Sequence, residues 1–292
     1  MANRRVLVKR RKAARNIRKI TRTMQLIATA RFQSAYNAAV AGRPYTDKLA
    51  ELVRGLAAAA DGLDHPLMTT PDEEKRTAVV VLTSNRGLCG GYNANVLRTA
   101  IEHLDGLAAA GVEPETHMAG KKGAGYFRFL GRDVAVERTD FGDRARFDQV
   151  EPMANELMAR FIAGEIDAVD VVYNKFISTA RQRPVVERLL PLSGEVAAEG
   201  DEGEAVHAEF EFSPDPQSLL EELLPATVRV RLYQAFSDAA VSEQVARMVA
   251  MKAATDAAED MIKRLTMQYN RARQTQITME LLDIVGGANA IS

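Results

Sequence analysis

The chain has 292 residues, 47% apolar and 26% charged, with a formal net charge of −1. That length suffices for one large domain or two smaller ones. The single cysteine, Cys89, excludes an internal disulfide, and no run of about 18 apolar residues is present to span a membrane. The basic N-terminus lacks the apolar segment of a secretory signal. It is arginine-rich like a mitochondrial transit peptide, but its apolar pattern runs unbroken into the next segment, which argues against one.

The near-zero net charge hides a segregation. From Met1 to Thr46 there is no acidic residue, while Arg4, Arg5, Lys9, Arg10, Arg11, Lys12, Arg15, Arg18, Lys19, Arg22, Arg31 and Arg43 are all basic. From Leu189 to Val228 there is no lysine or arginine, and Glu195, Glu199, Asp201, Glu202, Glu204, Glu209, Glu211, Asp215, Glu221 and Glu222 are acidic. Opposite charge on separate stretches points to partners before catalysis.

Residues 3–60 read as a long helix. Ala13, Ile17, Ile20, Met24 and Ile27 alternate steps of four and three, the spacing of an a/d seam. Gly42, Arg43 and Pro44 predict a break or kink. Residues 61–76 read as a polar linker. Thr77–Thr83 reads as a buried strand, Ser84–Asn93 as a glycine-rich loop and Asn95–Ala110 as a helix. A strand at Glu115–Ala119, a second loop GKKGAG at Gly120–Gly125 and an apolar helix around Tyr126–Leu130 follow. Val134–Arg138 is a strand candidate, Glu151–Gly164 a helix and Asp167–Asn174 a buried strand. Lys175–Ala180 reads as that strand's continuation and Pro184–Leu190 as an edge strand. Strands alternating with helices imply a parallel, doubly wound sheet. The final stretch repeats apolar residues at Ala254, Ala258, Ile262, Leu265, Tyr269 and Ala272, and no proline follows Pro225. Taken as Ser218–Val285, it predicts one helix about 100 Å long.

The economical arrangement pairs the terminal helices with each other. The expected fold class is α/β: a long antiparallel two-helix coiled coil with an inserted Rossmann-like domain. The expected divisions are a helix at 1–60, a linker at 61–76, an α/β domain at 77–210 with an acidic loop at 193–209, and a helix at 211–292.

The loop Gly87–Gly91 lies between a strand and a helix, where nucleotide folds bind phosphate. Its GLCGG matches neither G-x-G-x-x-G nor a P-loop, and neither does GKKGAG. Tight turns and close helix–sheet approach explain these glycines better. Cys89 stands near a helix N-terminus, where a thiol can be activated, but no histidine neighbours it in sequence, and a packed cysteine is the simpler reading. His65, His103, His117 and His207 match no metal spacing. No catalytic, cofactor or metal site is expected. The basic first helix invites a nucleic-acid reading, against which stand its apolar seam and the lack of aromatics before Phe32.

Four stretches together resemble the gamma subunit of the F-type ATP synthase. Ile17–Arg31 reads IRKITRTMQLIATAR, close to the family's KIT-x-x-M-x-x-V-A block, with Ile27 where valine is usual. Arg86–Gly91 reads RGLCGG, and Ala246–Asp256 reads ARMVAMKAATD. Ile277–Ala290 reads ITMELLDIVGGANA and fits the terminal signature through Ile277, Thr278, Glu280, Asp283, Gly287, Ala288 and Ala290. The order is right and the match spans the chain. The resemblance implies a non-catalytic rotary shaft, standing in a ring of alpha and beta subunits and driven through epsilon and the membrane c ring by proton flow. It implies coupling contacts to alpha and beta at Lys19, Arg22, Met24, Arg86, Arg247, Arg273, Gln274, Thr278 and Glu280. Phe210 and Phe212 are the expected foot toward epsilon and the c ring. It also implies a peripheral place on the cytoplasmic face of a bacterial membrane and no cofactor. The competing readings are an α/β nucleotide-binding enzyme with helical arms, which predicts nucleotide binding, and a coiled-coil nucleic-acid adaptor, which predicts strongly salt-dependent DNA binding.

Overall fold

The computed structural model describes residues 4–59, 65–142, 144–192 and 216–289. The elements in chain order are α1 (Arg4–Ala59), β1 (Arg76–Leu82), α2 (Tyr92–Ala109), β2 (Glu113–Ala119), α3 (Lys121–Leu130), β3 (Val136–Arg138), α4 (Phe147–Ile162), β4 (Ala168–Phe176), β5 (Gln182–Leu190) and α5 (Pro216–Asn289). By contacts the chain forms two compact units, Met1–Ala30 with Arg247–Ser292, and Arg31–Ala246.

In the larger unit the strands lie in the order β3-β2-β1-β4-β5. β1, β2, β3 and β4 are parallel, and β5 is antiparallel to β4. The all-parallel expectation therefore fails at one edge. The segment Lys175–Ala180, read as a continuation of β4, continues it only through Phe176; the rest is the turn that reverses the chain, closed by Ser178 N–H to Arg181 O at 3.0 Å and Arg181 N–H to Ser178 O at 3.1 Å. A turn this short can only join antiparallel strands.

Alternation along β1 supplies both faces of the sheet. Ala78, Val80 and Leu82 face α4 and the first part of α5, while Val79 and Val81 face α2 and α3. α5 contributes Leu220, Leu224, Val228, Leu232, Ala235 and Ala239 at steps of four and three, all buried. The segment before β1 is more than a linker: Leu67 is fully buried in this core, and its carbonyl accepts Leu192 N–H at 2.9 Å. α1 runs through Pro44, and α5 runs through Pro225. Each proline removes one hydrogen bond, and the packed faces on both sides carry the helix across it.

In the smaller unit the two terminal helices run antiparallel. Arg11 stacks on the ring of Tyr269 at 4.9 Å. Ten residues on in α1, and fourteen back in α5, the Thr21 and Thr255 hydroxyls meet at 2.8 Å. The buried residues of α1 here are Leu7, Ala14, Thr21 and Ala28, each seven apart, facing Met251, Thr255, Ala258 and Leu265. This corrects the predicted seam. Ile17, Ile20 and Ile27 are 52%, 59% and 46% exposed, and Met24 is half-buried. Small side chains in the heptad positions let the helices approach closely, so the bulky aliphatic residues stand one position round, on the outer surface.

Candidate coupling surfaces

The loop after β1 is held by its own polar side chains. Asn93 Oδ1 accepts Ser84 N–H at 3.0 Å, and Asn93 Nδ2 donates to Ser84 Oγ at 2.7 Å and to Cys89 Sγ at 3.3 Å. Ser84 Oγ donates to the carbonyl of Arg86 at 2.7 Å. Cys89 is buried in this network, a packed residue with polar neighbours. The loop instead projects Leu88, which has φ 64° and is 58% exposed, and Arg86, also exposed. A large aliphatic residue held in the left-handed region is strained, and the fixed loop around it supplies the constraint.

The second glycine motif is not a loop. GKKGAG forms the cap and first turns of α3, and its N–H groups are used internally: Lys121 donates to Asn85 Oδ1, Lys122 to the Ser84 carbonyl and Gly123 to Thr83 Oγ1, each at 3.0 Å. A helix start whose donors are already engaged is poorly suited to bind phosphate. The glycines serve close approach. A Cβ on Gly120, whose φ is +109°, would lie 2.6 Å from the Thr83 carbonyl carbon, and one on Gly123 would lie 2.6 Å from Thr83 Oγ1.

The expected contact residues fall in different settings. Lys19 and Arg22 are exposed on α1, with Arg22 Nη1 donating to Gln25 Oε1 at 3.5 Å. Arg247 is only 6% exposed. Arg273, Gln274, Thr278 and Glu280 are all exposed. The Thr278 hydroxyl donates to the Gln274 carbonyl at 3.0 Å, and Glu280 Oε1 accepts Gln276 Nε2 at 2.7 Å. Phe210 and Phe212, and the acidic loop 193–209, lie outside the described residues. Sequence reasoning missed the outward aliphatic stripe on α1 and the knob at Leu88. The heptad of small residues at Ala14, Thr21 and Ala28 was the available signal for the first.

From Arg273 to Gly286 every residue of α5 is exposed. Ile277, Met279, Leu281, Leu282, Ile284 and Val285 are 49–70% exposed. At about 100° per residue they cover roughly two-thirds of the helix circumference, leaving Glu280 and Asp283 on the remaining side. A helix that is apolar over most of its circumference needs an enclosing partner. No described helix is long and apolar enough to cross a membrane.

Fold and surfaces define a class: an assembly subunit made of a long antiparallel helix pair with an inserted α/β domain, its apolar side chains displayed for partners. A family model described as ATP synthase matches residues 3–291. The ATP synthase gamma chain of Rhodopirellula baltica is 48% identical over 100% of this chain and 99% of its own length. That of Leptospira biflexa is 40% identical over the whole of both chains. Among solved structures, a chain of the Euglena gracilis mitochondrial ATP synthase (OSCP/F1/c-ring, rotational state 3) has the same fold. Its TM-score is 0.64 at 17% identity, over 99% of this chain and 94% of that one. The chain belongs to the ATP synthase gamma-chain family. It is a non-catalytic subunit of that complex, and its role there is the central shaft.

Proposed function

We propose that the chain couples proton flow through a membrane c ring to ATP synthesis at beta subunits by turning inside a ring of alpha and beta subunits. The observation that carries this reading is the exposed apolar end of α5. Its side chains need an enclosing surface, and a mainly apolar sleeve would cover them while offering few directional contacts to resist rotation. The outward stripe of Ile17, Ile20 and Ile27 extends the same requirement to α1.

Polar contacts that form and break as the shaft turns are assigned to Lys19, Arg22, Arg86, Arg273, Gln274, Thr278 and Glu280, with Met24 beside the two α1 cations. Arg247 is buried within the chain, and its assigned part is to hold the α5 surface in place from beneath. Phe210 and Phe212 are assigned to the foot that meets epsilon and the c ring. The chain works at the cytoplasmic face of a bacterial membrane, held there through its partners.

Reconstitution with cognate alpha and beta subunits tests the reading. Gel filtration is expected to give a complex with one copy of this chain per three alpha and three beta. Removing residues 273–292 is expected to lower the ATPase rate and thermal stability of the complex several-fold and by several degrees respectively, while the isolated chain melts as before. A chain that neither co-elutes with alpha and beta nor alters their ATPase activity would sink the proposal.

A further inference from the structure

The cations of the α/β domain are mostly neutralised within the chain. Arg76 pairs with Glu113 at 3.1 Å, Arg132 with Asp105 at 2.8 Å, Arg160 with Glu115 at 2.7 Å, and Arg188 with Asp170 at 2.5 Å. The hairpin joining β4 to β5 departs from this. Lys175, Arg181 and Arg183 are exposed, and among the described residues none has a carboxylate within 4 Å. Lys175 and Arg183 are direct cross-strand partners. Like charges placed opposite each other on neighbouring strands are destabilising, so this arrangement costs the isolated chain stability.

The hairpin is built to stay put. Phe176, 7% exposed, packs against Tyr36 at 5.8 Å and Phe32 at 6.3 Å between ring centres. Beyond it the turn is fixed by Arg181 N–H to Ser178 Oγ at 3.1 Å, and by Gln182 Nε2 to the carbonyls of Ser178 and Thr179 at 2.7 and 3.1 Å. At its start stands Ile177, 51% exposed. By strand alternation Lys175 and Arg183 point away from the Phe176 anchor. β4 lies beside β1 and parallel to it, so the hairpin emerges at the same edge of the sheet as the Arg86 loop. Lys121 and Lys122, which follow β2 at that edge, also lack a carboxylate within 4 Å among the described residues.

We propose that the β4–β5 hairpin, through Lys175, Ile177, Arg181 and Arg183, docks an acidic polypeptide segment of a neighbouring subunit in the assembled complex. Unpaired cations call for anionic partners, and rigid presentation lowers the entropic cost of binding. The aliphatic side chain among the cations favours a protein segment, which brings carboxylates and apolar contact together. A free phosphate supplies only charge. The inference rests on the chain working within an ATP synthase complex.

The test is zero-length carboxyl–amine cross-linking of the assembled complex, read by peptide mass spectrometry. Lys175 is expected to join an Asp or Glu of another subunit, and Lys175→Arg is expected to abolish that product while the complex stays active. Lys175→Glu with Arg183→Glu is expected to weaken the contact about tenfold, read as release at lower salt. In Lys175→Glu alone, relief of the cross-strand repulsion is expected to raise the melting temperature of the isolated chain, which a merely structural lysine would not do. An assembled complex in which Lys175 reaches only carboxylates of its own chain overturns the inference. So does binding of the isolated full chain to phosphatidylglycerol vesicles that the double variant abolishes, which would assign the hairpin to lipid. Failure of the complex to form at all would instead count against the proposed function.

Discussion

The α/β domain and the paired terminal helices solve the same packing problem in opposite ways. In the domain the large apolar residues point inward: Val80, Leu157, Leu224 and Leu232 are fully buried, and Phe127 is 1% exposed. In the helix pair the inward positions include Ala14, Thr21 and Ala28, while Ile17, Ile20 and Ile27 face out. Burying one large aliphatic side chain is worth about 1.5–3 kcal/mol. The domain has taken that gain within its own chain. The helix pair buries Leu7, Met251 and Leu265 but leaves the rest of that gain for a partner, keeping small residues at the other α1 positions of its seam. A region that must fold alone and a region that must be enclosed can thus be told apart by where their largest side chains go.

The sharpest way to break the self-sufficient half is at Gly120. Gly120→Ala puts a Cβ against the Thr83 carbonyl at φ +109°, and the expected loss is about 4 kcal/mol by denaturant unfolding. A loss under about 1 kcal/mol would show that α3 does not approach β1 this closely. In the helix pair the contrast predicts an inversion of the usual rule. Ala28→Leu, at a fully buried small position, is expected to cost the isolated chain about 2 kcal/mol. Ile20→Ser, at a large but exposed one, is expected to change it by under about 0.5 kcal/mol, and to act only on the assembled complex. Should Ile20→Ser cost more than Ala28→Leu in the isolated chain, the seam runs through the bulky residues after all.

A smaller effect tests the domain's internal charge pairing. Arg160 donates twice to Glu115, at 2.7 Å each, and His117 Nε2 meets the same carboxylate at 2.7 Å. The Arg160 guanidinium, with His117 beside it, holds the Glu115 carboxyl down at about 2 against an ordinary value of 4.5. A depressed carboxylate stabilises the fold above its unfolded pKa, and that stability drains away as pH falls from about 4.5 through about 2. The pair is about one-fifth exposed, so solvent screening reduces its worth to about 1–2 kcal/mol. Glu115→Gln is therefore expected to lower stability by that amount at pH 7 and by nearly nothing at pH 2, measured as unfolding free energy against pH. A pH-independent loss would mean that packing, not charge, links Glu115 to Arg160.

Much of the fold was legible because its signals are local. Runs of β-branched and apolar residues marked β1 and β4, and apolar helical periodicity marked both terminal helices. Other features depended on what lay across the gap. The GKKGAG segment looked like a loop, since glycine usually breaks a helix. It is helical from Lys121, and glycine stands at 123 because that turn passes close to Thr83 and Met118. Pro44 looked like a break, but packing on both sides carries the helix through it. Strand–helix alternation implied a parallel sheet, and the turn at Ser178–Arg181 makes its edge strand antiparallel.

By itself, the sequence determined the two long terminal helices, the βα alternation between them and the segregation of charge that pointed to partners. Each of these depends only on neighbours within a few residues along the chain. Which stripe of α1 faces its partner helix, and hence which residues remain for the rest of the complex, was decided by tertiary structure alone. Both the aliphatic stripe and the small-residue heptad have a helical period. Hydrophobicity favours the first, but the close fit of two helices favours the second, and only packing in three dimensions compares them.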